Sequence, residues 1–428
     1  MQPIVVVTDN TKAKPSPTPL VKRTGRSEPI NAPRSTVSAI ENVEIPGYSG
    51  VLIETLDGQV ILDNNSQEAF NPASNVKIAT AYAVLKTFGP DYRFPTSVWT
   101  DGQVNKSTGI LYGNLYISGR DPIFNYEHAV SIAHQLNRLG IREVTGDLIV
   151  TGDFVMNYSN SSQRSGATLQ ATLDSAKRSA SANRAWQNFI ANSRQFLEAG
   201  TIPGVSIAGG TYVQTVPTNA ALLFTHESAP MRAIVKATLC YSNNFLAERL
   251  GDMLGGYYAV AKIVHLNAQV APQEFNLASS SGLGVNRVTP QAMMKLLRAL
   301  RSDLARYDMT FADIMPVAGV DKGTLEGRFD SDFSRGSVVG KTGTLGRTDG
   351  GVSALCGEIQ TRTGKVLFVI FNMHGGVRGF RNFQNSFVSL VQGQMGGAAP
   401  LGYAHVPIEI RLATSRIVTP NQRRRIED

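Results

Sequence analysis

The sequence predicts an α+β fold: a mixed β-sheet assembled from both ends of the folded region, an all-helical part beside it, and a second α/β domain inserted into the chain. Three observations carry this reading. β-rich runs lie near residues 48–64 and again from 337 to 373, with helical segments between them. The stretch "SNVKIATAYAVLKTFG" has apolar residues on more than one helical face, as a buried helix does. From about residue 100 to 220 the texture changes to short strands and amphipathic helices.

Composition sets the outer limits. A chain of 428 residues can hold two or three domains and a sizeable core, and 42% hydrophobic with 17% charged residues is ordinary globular usage. No apolar run reaches the roughly eighteen residues of a membrane span. The net charge of +8 suits an anionic partner, but Lys and Arg are scattered, the one tight cluster is "RRR" at 423–425, and no aromatic-basic interleaving marks a nucleic-acid groove. Cys240 and Cys356 lie in unrelated contexts without metal or redox spacing and read as two buried thiols. The start, "MQPIVVVTDNTKAK", lacks the basic and apolar regions of a signal peptide.

In chain order, residues 1–36, rich in Pro, Ser and charge, read as an extended or disordered arm. Two β-rich runs flank Asp57-Gly58, a hairpin signal. The buried helix follows, stopping at Gly89-Pro90. Residues 99–221 form the expected insert: "GILYGNLYISGRDPIF" and "VTGDLIVTGDF" as strands, "EHAVSIAHQLNRLG" as a helix, then Ser-, Asn- and Ala-rich helical sequence. "SAPMRAIVKATLCYSNNFLAERLGDMLGG" reads as two helices with "YSNN" near their junction, and Thr289-Pro290 opens another. "SVVGKTGTL", "GGVSALCGEI" and "VLFVIFNM" read as strands, and "FRNFQNSFVSLVQG" as a closing helix. The principal domain thus covers 37–98 and 222–395, with an uncertain tail over 396–428.

Chemistry enters at Ser74 and Lys77. Three residues apart on a helix they share a face, and burial favours the neutral amine, so Lys77 can act as the base that a serine nucleophile requires. Ser-x-x-Lys alone is common. Two further elements add weight: Ser242-Asn243-Asn244 places a hydroxyl and an amide at a helix junction, and Lys341-Thr342-Gly343-Thr344 places a second amine and hydroxyls in a β context, with Gly343 permitting close approach of a substrate backbone.

Ser-x-x-Lys, Ser-x-Asn and Lys-Thr-Gly in that order resemble the penicillin-binding protein and serine β-lactamase superfamily. "FNPASNVK", "GNLYISGRDP", "GDLIVTGDF", "YSNNFLAERL", "SSSGLGVNRVTP", "PVAGVDKGTLEGRF" and "GKTGTLGRTDGGVSALCGEI" extend the resemblance to the D-alanyl-D-alanine carboxypeptidase/endopeptidase family, the low-molecular-mass class C penicillin-binding proteins. Ser242 follows Lys77 by 165 positions, too many for a compact β-lactamase and natural for a domain inserted between the first two motifs. No Glu-x-x-Leu-Asn segment follows Asn244, which disfavours rapid β-lactam hydrolysis.

The resemblance implies a serine β-lactamase/transpeptidase-like domain and a role for each motif residue. Ser74 becomes the acyl-enzyme and Lys77 its base; Ser242 and Lys341 relay the proton; Asn244 binds the substrate amide; Thr342 and Lys341 bind the terminal carboxylate, and Gly343 and Thr344 complete the site. The backbone N–H groups of Ser74 and Thr344 would form the oxyanion hole. No cofactor or metal is expected. The implied partners are peptidoglycan peptides ending in or cross-linked through D-alanine, with β-lactams as covalent inhibitors, in the periplasm or cell envelope, the export signal lying outside this sequence. One departure stands out: the family's Asp-Gly-Ser-Gly-Leu is Ser279-Ser280-Ser281-Gly282-Leu283 here.

Other classes fit less well. The six histidines show no His-Glu-x-x-His spacing, no Gly-x-Ser-x-Gly elbow exists, and they read as satisfied structural residues. Asp121 in "GRDP" reads as a turn residue with a solvated charge. A catalytically silent wall-binding protein and a β-lactamase or esterase on the same framework are the alternative functions.

Overall fold

A computed structural model describes residues 40, 43–193 and 202–422. The arm over 1–36 and the "RRR" cluster lie outside the described residues. Residues 37–428 form one unit.

The chain ends of this unit meet in a five-stranded sheet. Its order is Val338–Leu345, Val352–Thr361, Gly364–Met373, Tyr48–Thr55, Val60–Asn64. All four pairings are antiparallel, so this sheet is not mixed in the strict sense. The reason is connectivity: tight turns at Asp57-Gly58 and Arg362-Thr363 make hairpins, and the long-range pair, Val51 opposite Ile370, runs antiparallel too. Alternation along Gly364–Met373 fixes the layers. Leu367, Val369 and Phe371 face the helical core, while Val366, Phe368 and Ile370 face Phe387, Val388 and Val391 of the Val377–Gln394 helix.

The Val76–Phe88 helix runs through the helical core with every residue from Val76 to Leu85 buried. Helices Met231–Cys240, Asn244–Asp252, Tyr257–Asn267 and Pro290–Ala305 surround it. Thr289 caps the last of these by accepting from the Ala292 N–H.

Residues 95–227 build sheets of their own. One has the order Thr211–Val213, Leu148–Val150, Leu115–Gly119, Pro95–Thr100, Ala221–Glu227, Arg416–Val418, and this sheet is mixed. A second joins Gln103–Asn105, Ile110–Tyr112, Glu143–Val144 and Ser206–Ile207. Val98, Leu115, Ile117, Ile132, Leu148 and Phe224 form a core distinct from that of the helices. Within the described part of the tail, Ile408 and Leu412 pack on Ala237 and Cys240, and Arg416–Val418 supplies the edge strand beside Ala221–Glu227.

Two polar expectations change here. Asp121 is not solvated: it is buried, one carboxylate oxygen accepts from the Ile123 N–H, the other has no partner among the described residues, and burial pushes its carboxyl up to about 7. Nor are all histidines satisfied. His128 and His226 lie buried with ring centroids 5.0 Å apart among Phe124 and neighbouring aromatics, and neither ring nitrogen of His226 has a partner among the described residues. Burial holds both imidazoles below their usual range. Aromatic packing has overridden hydrogen-bond satisfaction at this point.

Candidate active site

Ser74 sits in the 3-10 turn Ala73–Asn75, immediately before the buried helix. The turn is held in place before it can react. Asn71 accepts from the Ala73 N–H at 3.0 Å and donates to Asp349 at 2.8 Å, and Asp349 is gripped by Arg287 through two hydrogen bonds. Ala73 is driven into the left-handed region at φ 47°, a costly conformation for a residue with a Cβ.

Lys77 is only 1% exposed, and its Nζ lies 2.9 Å from Ser74 Oγ, 2.6 Å from Asn244 Oδ1 and 2.6 Å from the Ser281 carbonyl. A neutral amine fits this set completely: two N–H bonds go to Asn244 and Ser281, and the lone pair is free to accept from the serine hydroxyl. Burial lowers the Lys77 ammonium to about 7, against the nearby Glu248 carboxylate, which raises it.

The second amine is arranged in parallel. Lys341 is fully buried and donates to Ser242 Oγ at 2.9 Å and to the Thr342 carbonyl at 2.6 Å. Burial first, and the Lys77 charge second, hold it well below the ordinary lysine range. Ser242 follows the Met231–Cys240 helix in a left-handed conformation, φ 52°, and Asn243 caps the next helix by accepting from the Leu246 N–H. The sequence's "YSNN" junction is therefore a strained corner that points two side chains, from Ser242 and Asn244, into one cleft.

That cleft has a volume of about 990 Å³ and is lined by Ser74, Ser242, Asn244, Thr342 and Thr344 together with residues the sequence reading had not singled out. Of the eight expected site residues, the structure brings Ser74, Lys77, Ser242, Asn244, Thr342, Thr344 and Lys341 together. Two details differ from expectation. Lys341 does not line the cleft: it is fully buried behind the wall, with Nζ donating to Ser242 Oγ and the Thr342 carbonyl. Gly343 is buried and does not line the cleft: a Cβ there would come 2.5 Å from the Pro72 carbonyl and 3.1 Å from the Ala73 Cβ, so the glycine lets the strand pack against the serine turn.

The loop that departs from the family pattern closes the other side. Gly282, at φ 88°, lies so close to the turn that a Cβ would meet the Ala73 carbonyl. Ser279 Oγ accepts from the Gly282 N–H at 2.9 Å, a role open to an aspartate as well. Glu248, absent from the expected set, accepts from the Ser280 and Ser281 N–H groups and thereby aims the Ser281 carbonyl at Lys77. Its signal in the sequence was its position one helical turn after Asn244. Cys240 and Cys356 are free, buried thiols, with burial pushing Cys240 up to about 12.

A serine with a buried amine at hydrogen-bond distance, and a second buried amine behind Ser242, both held below the ordinary lysine range, define a nucleophilic acyl-transfer site. The chain belongs to the D-Ala-D-Ala carboxypeptidase 3 (S13) family, matching its pattern over residues 38–166 and 167–392. It is 24% identical over 447 residues to the D-alanyl-D-alanine carboxypeptidase of Actinomadura sp. (strain R39), covering 80% of this chain and 81% of that one. The fold is similar to Bd3459, a predatory peptidoglycan endopeptidase from Bdellovibrio bacteriovorus, at a TM-score of 0.72 and 21% identity, covering 88% of this chain and 100% of that one. It is also similar to penicillin binding protein 4 (dacB) from Haemophilus influenzae, at a TM-score of 0.60 and 20% identity over 82% of this chain and 99% of that one. The likeness to these two structures shows a shared fold.

Proposed function

We propose that the protein is a serine D-alanyl-D-alanine carboxypeptidase/endopeptidase acting on peptidoglycan stem peptides in the periplasm or cell envelope, with residues 99–221 as an inserted domain. The observation that carries this is the Lys77 amine held 2.9 Å from Ser74 Oγ with its other two partners fixed. Ser74 Oγ attacks the carbonyl carbon before the terminal residue, and Lys77 takes the hydroxyl proton. The C–N bond breaks as the leaving amine receives a proton through Lys341 and Ser242. Asn244, its Oδ1 occupied by Lys77, offers its amide N–H₂ to the substrate. Thr342 and Thr344 present hydroxyls to the carboxylate, and the N–H groups of Ser74 and Thr344 stabilise the oxyanion, each such donor being worth roughly 10²–10³ in rate. Water then cleaves the ester and restores Ser74.

Slow release of β-lactams belongs to the same reading. No Asp or Glu lines the cleft among the described residues, and Glu248 is occupied by the Ser280 and Ser281 amides, so no carboxylate stands beside the ester to activate water. No described helix is long and apolar enough to cross a membrane. The test is labelling with a fluorescent penicillin. Wild type should carry a persistent covalent label that Ser74→Ala lacks, and purified muropeptides should lose D-alanine or cross-links, read by mass. An unlabelled, inactive wild type points to the silent wall binder; fast loss of the label points to a β-lactamase or esterase.

A further inference from the structure

Three arginines crowd the same cleft. Arg328 lies in the loop before the Val338–Leu345 strand, and Arg378 and Arg381 lie in the first turns of the Val377–Gln394 helix. Arg381 donates to Thr344 Oγ1 at 2.9 Å, placing its charge beside the hydroxyls of the strand. Arg328 is fixed by hydrogen bonds to Asn385 at 2.8 Å and Gln384 at 3.2 Å. Among the described residues none of the three pairs with a carboxylate, and none of the lining residues is acidic. Burial, and then the Arg381 charge, lower Arg328 to about 10.

We propose that Arg328, Arg378 and Arg381 form a subsite for a leaving segment that carries two or more carboxylates, so that the enzyme prefers a cross-linked stem peptide to a single terminal D-alanine. This rests on the acyl-enzyme reading given above. A departing D-alanine brings one carboxylate, which Thr342, Thr344 and Arg381 can satisfy between them. Two guanidinium groups would then face the cleft unpaired. A cross-linked leaving segment is a second peptide with several carboxylates, and guanidinium binds each through two parallel N–H bonds. The cleft volume of about 990 Å³ leaves room for such a segment beyond the reacting bond.

The test compares wild type with the double variant Arg328→Gln/Arg378→Gln, which leaves Arg381 in place, on two substrates: a cross-linked muropeptide dimer and an uncross-linked pentapeptide ending in D-alanyl-D-alanine. A matching melting temperature shows that the variant is folded. For the variant, kcat/KM on the dimer should fall roughly tenfold or more and on the pentapeptide roughly threefold or less, since charge-assisted contacts at an open site are worth this much. Amidating the leaving segment's carboxylates should bring the wild-type rate on the dimer down to the variant's level. Equal losses on both substrates, no loss on either, or indifference to amidation would overturn the proposal while leaving a labelled, active Ser74 enzyme. A wild type without label or turnover would overturn the acyl-enzyme reading and this one with it.

Discussion

Acylation of Ser74 should follow the ionisation of Lys77, with a magnitude set by its surroundings. A lysine in water at pH 7 is neutral in only about one molecule in a few thousand, given an ordinary pKa of about 10.4. In the cleft, burial brings Lys77 to about 7, so close to half of the molecules carry the base, a gain of about 10³. The corresponding destabilisation of the ammonium is on the order of 5 kcal/mol. Because the folded pKa lies below the unfolded one, the unfolded chain binds the extra proton between about pH 7 and 10, and the lysine's contribution to stability falls as pH drops through that window. Stopped-flow acylation by a chromogenic β-lactam should therefore rise with pH to a plateau, with a midpoint near 7. Glu248→Gln removes the carboxylate that raises Lys77 and keeps one acceptor for the Ser280–Ser281 amides, so the midpoint should move acid-ward. A flat profile between pH 5 and 9, a midpoint near 10, or a midpoint that rises in Glu248→Gln would refute the assignment of Lys77 as base.

Two further outcomes follow from the packing. Gly343→Ala should lower stability by about 1–3 kcal/mol in urea titration and slow acylation at least tenfold, because the new Cβ lies 2.5 Å from a backbone carbonyl that positions Ser74; an unchanged rate would mean that the strand does not set the serine turn. At acid pH, each buried histidine held below its normal value weakens the fold by up to about 1.4 kcal/mol per pH unit below about 6.5, as the unfolded chain is protonated first. His226→Phe should flatten that loss. The comparison with wild type isolates His226 from Asp121, whose raised carboxyl acts in the opposite sense between roughly pH 4 and 7.

Local signals in the sequence carried most of the architecture. The Gly89 stop, the Thr289-Pro290 start and the Asp57-Gly58 hairpin are each decided within a few residues, and each appears where expected. Pairing between distant segments is not written locally, which is why the sheet's antiparallel register and the return of Arg416–Val418 to the Ala221–Glu227 edge could not be read. The site divides in the same way. Ser74 and Lys77 were legible because three-residue spacing on a helix is a contact, whereas Arg328 and the Arg378–Arg381 pair lie 50 and 3 positions apart and share a wall only through the fold. Asp121 was misread for a related reason: "GRDP" encodes the turn but not what covers it.

Two downstream glycines, one in the Ser279–Leu283 loop and one in the Lys-Thr-Gly motif, point to how such a site is assembled. Gly282 and Gly343 come from segments about sixty residues apart, yet each lies so near the Pro72–Ser74 turn that a single methyl group would collide with a backbone carbonyl there. Pressed from both sides, the turn holds Ala73 in a conformation it would not choose, and Ser74 Oγ is carried to the Lys77 amine as a consequence. The reactive pair is local in sequence, but its geometry is imposed by distant backbone. That division of labour explains why a helix bearing Ser-x-x-Lys is common while the reactive arrangement also requires the distant segments that hold the turn and the Lys77 amine.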